Sequence, residues 1–188
     1  MTNRKCILVS GGARSGKSSF AQELAESISE KVLFVATAEP LNEDMKNRIS
    51  KHKAQRPKTW NTIEAAIDIV DQIAPHIHGN EVVLVDCLTL LTSNIILGKN
   101  RELLNGIEID EETAEKKVLG EIESILALMS QSDVNSIFVT NEVGFGIVPD
   151  NELGRIYRDL LGRVNQVMAR HADEVYLLVS GISLKIKG

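Results

Sequence analysis

The stretch Cys6-Ile7-Leu8-Val9-Ser10-Gly11-Gly12-Ala13-Arg14-Ser15-Gly16-Lys17-Ser18 decides how this chain is read. Its first five residues form an apolar run suited to a buried strand. Its last eight fit G-x-x-x-x-G-K-[ST], and Ser19-Phe20-Ala21-Gln22-Glu23-Leu24-Ala25-Glu26 continues as a helix-forming segment. Between strand and helix, the glycines let backbone N–H groups turn toward phosphate oxygens at a helix N-terminus that already favours negative charge. Gly11, Gly12, Ala13, Arg14, Ser15 and Gly16 are therefore expected to cradle phosphates. Lys17 is expected to reach the β- and γ-phosphates, and the Ser18 hydroxyl to ligate Mg²⁺. A chance glycine turn is the alternative, and the strand and helix on either side argue against it.

Working outward, apolar runs alternate with helical patterns, as in a mostly parallel sheet flanked by helices on both faces. Expected strands are Cys6–Ser10, Val32–Ala36, Val82–Cys87, Ile137–Thr140 and Val175–Val179, with a short edge strand at Leu184–Lys187. The clearest helix is Glu152–His171, where Leu153, Ile156, Tyr157, Leu160, Val164, Val167 and Met168 recur at spacings of three and four. Asn61 with Glu64 resembles a capping box for a helix over Ile63–Ile73, ended by Pro75. The stretch Leu97–Glu112 reads as a surface excursion before a helix over Thr113–Gln131. With 188 residues, no repeat and no linker, one α/β domain over 1–188 of phosphate-loop NTPase type is expected.

Val82-Val83-Leu84-Val85-Asp86 ends an apolar strand on a carboxylate, which suits a Walker B acid beside Mg²⁺. The guanine-reading Asn-Lys-x-Asp pattern is absent, which argues against a signalling GTPase. Hydrolysis, phosphoryl transfer and nucleotidyl transfer stay open on these motifs alone.

Twenty-one Lys and Arg against 26 Asp and Glu give a net charge of -5, which argues against broad nucleic-acid binding. No apolar run approaches the roughly 18 residues of a membrane span. The polar start, Met1-Thr2-Asn3-Arg4-Lys5, leads directly into the first strand and leaves no room for a signal peptide. Cys6 and Cys87 read as buried free thiols, so the cytoplasm is the expected compartment.

A basic segment, Asp44 to Pro57, lies between the second and third of those strands. If Asn42–Lys53 is helical, Arg48 and His52 share a face, and Arg56 extends the line if the helix continues. A histidine among Arg48, Lys51, Lys53 and Arg56 suits phosphate handling, and neutral imidazole can attack phosphorus. The competing reading is a solvated helix end whose cations suit the macrodipole. The loop Asn141–Pro149 follows a strand end, where α/β sheets bind ligands; an ordinary connection is the alternative. Arg155, Asp159 and Arg163 suggest a salt-bridge ladder along a solvated helix face. His76 and His78 flank a surface turn without the ligand set of a metal site. His171 suits a helix C-terminus, and Trp60 is either core or a stacking platform.

In order, Gly11 to Ser18, Ala36-Thr37-Ala38, His52…Arg56-Pro57…Trp60, Asp86-Cys87-Leu88-Thr89-Leu90 with Asn94, Thr140 to Gly144, Arg163-Val164-Asn165-Gln166 and Val179-Ser180-Gly181-Ile182…Leu184-Lys185 span nearly the whole chain. This series resembles the bifunctional adenosylcobinamide kinase/adenosylcobinamide-phosphate guanylyltransferase family of cobalamin biosynthesis. The resemblance implies that ATP or GTP phosphorylates the aminopropanol hydroxyl of adenosylcobinamide. GTP then donates GMP through a guanylylated histidine, whose matching position is His52. It makes His52 and Lys17 catalytic and Arg48, Arg56, Glu64 and Asp86 nucleotide contacts, with Mg²⁺ on Ser18 and Asp86. It also implies a homotrimer. Leu91 and Ser93 depart from the family's frequent Trp and Thr, away from these positions. The rival readings are a monofunctional kinase of a small alcohol and a nucleotide-binding regulator without transferase chemistry.

Overall fold

The computed structural model describes residues 4–98 and 109–188. In chain order, β1 (Cys6–Gly11) is followed by α1 (Lys17–Ile28), β2 (Val32–Ala36) and α2 (Glu43–Gln55). Next come β3 (Asn61–Glu64), α3 (Ile69–Ile73), a 3₁₀ turn at Ala74–His76, β4 (Val82–Asp86) and α4 (Leu88–Leu97). Then α5 (Glu111–Gln131), β5 (Asn135–Val139), α6 (Glu152–His171), β6 (Glu174–Val179) and β7 (Ile182–Lys187) complete the described elements.

The seven strands form one sheet in the order β3-β2-β4-β5-β1-β6-β7. Every pairing is parallel except that of β6 with β7. Alternate residues of each central strand enter different cores. Leu8, Leu33, Val35, Val83, Val85 and Phe138 pack under α3, α4, α5 and α6. Ile7, Val9, Phe34, Leu84 and Val139 face α1, through Ala21 and Ala25, and Trp60. Burial on both faces explains why these strands read as continuous apolar runs. Trp60 is core, stacked on Phe34 with ring centroids 6.2 Å apart.

The expected sheet stands, with ends shifted by one or two residues; α6 has the bounds its apolar stripe gave. One expected element is replaced by another. Asn61–Glu64 is not the cap of a long helix but β3, paired with β2 from Asn61 against Leu33 to Glu64 against Ala36. The Asn61 side chain donates to Asn80 Oδ1 at 3.2 Å, and the helix is confined to Ile69–Ile73 behind Asp68 at φ 49°. Thr62 and Ile63 are β-branched and suit a strand. In the Leu97–Glu112 stretch, 99–108 lie outside the described residues; Leu97 ends α4, and Glu111 and Glu112 open α5.

The proposed ladder on α6 does not form. Arg155 donates to Pro149 O and Asp150 O, Arg158 pairs with Asp159, and Arg163 pairs with Glu115 of α5. Cys6 and Cys87 are free but only half-buried. His171 closes α6 with Nδ1 2.9 Å from Val167 O, while His76 and His78 are exposed on either side of buried Ile77. No described helix is long and apolar enough to cross a membrane.

Candidate active site

The site forms where the sheet's connections diverge. β1 lies between β5 and β6, so the chain leaves it toward β2 on one side, while β6 is added on the other. In open α/β sheets such a switch point is where ligands bind, beyond the strand C-termini. From the end of β1 the chain turns through Gly11 to Gly16 and enters α1 at Lys17, with Gly16 at φ 94° as the residue before the helix. Gly11 is packed so closely that a Cβ there would stand 2.5 Å from Leu178 O and 2.8 Å from Ser15 Oγ. The β6–β7 hairpin braces the loop from outside, with Gly181 N donating to Ser15 O at 2.9 Å.

A cavity of about 510 Å³ opens over this loop, within the range of small-molecule sites. Ala13 to Ser18 form its floor, and Asp86, Cys87, Thr89 and Leu90 one wall. Met45, Ile49 and His52 of α2 close it with Arg56 and Glu64. Asn42 opens α2 by accepting from Met45 N at 2.8 Å, with Glu43 and Asp44 in the first turn and His52 and Lys53 in the last. Both ends thus carry the charge that suits the helix dipole. The helix stops at Gln55, so Arg56 does not continue the His52 face. It reaches the cavity from an extended residue, its guanidinium 3.7 Å from the Phe34 ring centroid. Arg48 is on α2, but its side chain lies outside the described set.

The charges in this cavity are unbalanced. Lys17 is buried, its ammonium donating to Gly12 O at 2.6 Å; burial lowers its pKa, opposed by Cys87 and Asp86. Burial raises the pKa of Asp86, against a Ser18 hydrogen bond and the charges of His52, Arg56 and Lys17. Arg56 is lowered, chiefly by burial, and its Nε and Nη1 have no hydrogen-bond partner among the described residues. The Ser15 hydroxyl is likewise buried and unpartnered. Buried donors without acceptors are costly, and phosphate oxygens supply acceptors of the right charge. Burial pushes the Cys87 thiol up to about 11, so it lines the wall as an uncharged group. Glu64 pairs with Lys53 at the rim.

The chemistry of the donors fits Mg²⁺. Ser18 and Asp86 offer one hydroxyl and one carboxylate on the lining of the same cavity. Among the described residues no three or more His, Cys, Asp or Glu side chains are grouped so as to hold a metal ion by themselves. Mg²⁺ is typically held in this way, by one or two protein oxygens plus substrate phosphates and water.

Several residues of the site were invisible as chemistry in the sequence. Thr37 is fully buried, and its hydroxyl both donates to Cys87 O and accepts from Cys87 N, each at 2.7 Å. Asn94 Nδ2 donates to Thr37 O and Ala66 O. Thr89 Oγ1 accepts from Asn141 N at 2.7 Å, and Asn165 bridges Thr140 Oγ1 and Asn141 O. These side chains pin the loops that form the walls. Their sequence signal was membership of the family-resembling series, which names the positions but not these bonds.

This fold and this cavity define a phosphate-loop nucleotide-binding α/β protein. Solved structures with the same fold include an ATPase from the type III secretion system of pathogenic bacteria. It matches at a TM-score of 0.56 and 14% identity over 93% of this chain, which spans about half (51%) of that ATPase. A protein of Pyrococcus horikoshii OT3 matches at 0.54 and 7% identity, over 98% of this chain and 86% of that one. The chain belongs to the cobinamide kinase / cobinamide phosphate guanyltransferase family, whose model matches residues 7–186. It is similar to the bifunctional adenosylcobalamin biosynthesis proteins CobU of Escherichia coli K12 and CobU of Salmonella typhimurium LT2. Identities are 42% and 40%, each over 96% of this chain and 99% of the relative. CobP of Pseudomonas aeruginosa PAO1 is 34% identical over 96% of both chains. The chain is accordingly a bifunctional enzyme of cobalamin biosynthesis, a kinase and a guanyltransferase.

Proposed function

We propose that one cavity serves both activities in turn, on adenosylcobinamide and then on its phosphate. The observation that carries this is the placement of His52 over the same cavity as Ser15 to Ser18 and Asp86. In the first reaction the aminopropanol hydroxyl oxygen attacks the γ-phosphorus of ATP or GTP. The bond from that phosphorus to the bridging oxygen breaks, the nucleoside diphosphate leaves, and the hydroxyl proton passes to solvent. Lys17, released from Gly12 O, neutralises the β- and γ-oxygens, and the loop amides and Arg56 hold the rest of the triphosphate. Ser18 and Asp86 would hold Mg²⁺, which when bound supplies charge neutralisation across the phosphates.

In the second reaction an imidazole nitrogen of His52 attacks the α-phosphorus of GTP, and pyrophosphate leaves. A phosphate oxygen of the corrinoid then attacks the same phosphorus, the P–N bond breaks, and adenosylcobinamide-GDP is formed. Both steps gather negative charge on oxygens around phosphorus, so positioning and electrostatic stabilisation supply most of the catalysis. Arg48 and Glu64 belong to the proposed nucleotide contacts, Glu64 through its hold on Lys53.

We assign the enzyme to the cytoplasm, on the strength of its free cysteines, and to a homotrimer. The exposed apolar side chains of the edge strand, Ile182, Leu184 and Ile186, favour contact with another copy, because an open strand edge invites pairing.

The test is incubation with α-labelled GTP and Mg²⁺, followed by denaturation and mapping of retained label. An acid-labile, base-stable adduct on His52 is expected. His52→Ala should lose the adduct and guanylyl transfer while keeping phosphorylation of the corrinoid from γ-labelled nucleotide. Equal loss of both activities would refute the division of labour. Absence of any adduct in a GTP-binding wild-type protein would leave a monofunctional kinase.

A further inference from the structure

Beyond the nucleotide cavity, the loop after β5 is ordered by many bonds yet displays apolar side chains to water. Asn141 N is tied to Thr89, and Glu142 N donates to Gly11 O at 3.0 Å. Within the loop, Glu142 Oε1 accepts from Gly144 N at 2.7 Å and Gly146 N donates to Val143 O at 3.2 Å. At its far end, Arg155 holds the carbonyls of Pro149 and Asp150. So braced, the loop leaves Phe145 86%, Ile147 97% and Val148 61% exposed. Three apolar side chains so exposed within four residues of one braced loop point to a binding surface.

Resting on the proposed corrinoid substrate, we infer that Phe145, Ile147 and Val148 form the seat of the corrin macrocycle. The loop continues directly from the cavity wall, since Asn141 lines the cavity and Phe145 follows four residues later. A cavity of about 510 Å³ that takes the nucleotide phosphates has no room for a macrocycle. Only the aminopropanol arm needs to enter; the ring stays at the mouth. There its apolar methyl-bearing edge meets Phe145, Ile147 and Val148, which the braced loop presents to water. The arm then runs along Asn141 toward Lys17. The seat sets substrate affinity and takes no part in the phosphorus chemistry.

The test measures cobinamide binding to the full chain by equilibrium dialysis, read from corrin absorbance, beside GTP affinity and molar mass by light scattering. The double variant Phe145→Ser, Ile147→Ser should bind cobinamide about 10-fold more weakly or worse, given the apolar surface lost. Its GTP affinity and molar mass should match wild type. Phe145→Leu with Ile147→Val should keep cobinamide affinity within about 3-fold, because most of the apolar area is retained. Unchanged cobinamide affinity in the serine variant would overturn the seat while leaving the substrate reading intact. A fall in molar mass in that variant would overturn it in favour of a second copy as the occupant. A wild-type protein that binds GTP but no cobinamide would overturn the substrate reading itself, and the seat with it.

Discussion

Replacing Thr37 by valine keeps the side chain's shape and removes one oxygen. That oxygen bonds both the N–H and the C=O of Cys87, the residue after the carboxylate of Asp86. In the valine variant the Cys87 carbonyl keeps the Leu91 N–H, which already donates to it at 3.2 Å. The Cys87 N–H loses its Thr37 acceptor in a region where Thr37 itself is fully buried. An unsatisfied buried donor costs about 1–3 kcal/mol, so we expect a loss of about 2 kcal/mol. For a chain of this length that is a fall in Tm of roughly 4–8 °C. Thr37→Ser retains the oxygen and gives up one methyl, for about 1 kcal/mol. Urea unfolding of the three proteins measures both, with the slope checked for constancy. The same bond fixes the end of β4, so, on the proposed Mg²⁺ site at Asp86, the Mg²⁺ concentration giving half-maximal turnover should rise in the valine variant and not in the serine variant. A valine variant as stable as wild type would refute the argument. So would a serine variant at least as damaged as the valine one.

Two further substitutions probe other parts of the frame. Gly11→Ala puts a methyl against the backbone of Leu178, which cannot rotate away; we expect GTP affinity to fall and stability to drop by about 1–3 kcal/mol, and unaltered GTP titration would contradict this. Glu174 accepts from Lys5 at 2.6 Å, Lys185 at 3.2 Å and Tyr176 at 2.7 Å. The Lys5 bond above all holds its carboxyl down at about 2 against 4.5. Because the folded value lies below the unfolded one, this contribution is complete above about pH 4.5 and is lost as pH falls toward 2. Half-exposed lysines screen it to about 1–2 kcal/mol. The stability gap between wild type and Glu174→Gln should therefore close from pH 6 to pH 2.5, and a constant gap would rule the ion pairs out as its source.

What the sequence disclosed follows from how local each signal is. The phosphate loop and the apolar strand ending at Asp86 are contiguous patterns, and each was legible with its neighbours. Helix α6 was legible because one apolar stripe faces one core. β3 was not: three of its four residues are exposed, so no alternation marks it, and Asn61 and Glu64 imitate a helix start. The charged residues of α6 were read as partners of one another, but Arg163 found Glu115 on α5 and Arg155 found backbone carbonyls. Trp60 suits either core or stacking from its sequence, and only the folded chain sets Phe34 against it. Thr37, Asn94 and Asn165 act across separations of 24 to 57 residues, and no local pattern records such contacts. His52 stood out as a basic helix end; its place over the phosphate loop is a property of the folded chain alone.

The position of β1 between β5 and β6 has a consequence for the order in which the enzyme is made. Its phosphate loop leaves the ribosome well before both neighbouring strands, which are synthesised more than a hundred residues later. The carbonyl of Leu178 and the amide of Gly181, which shape and brace the loop, arrive last among its contacts. Contacts so distant in sequence form slowly. A nascent chain therefore carries the nucleotide motif without the nucleotide site. GTP in the cell can stabilise the finished protein but gives no help to the growing one.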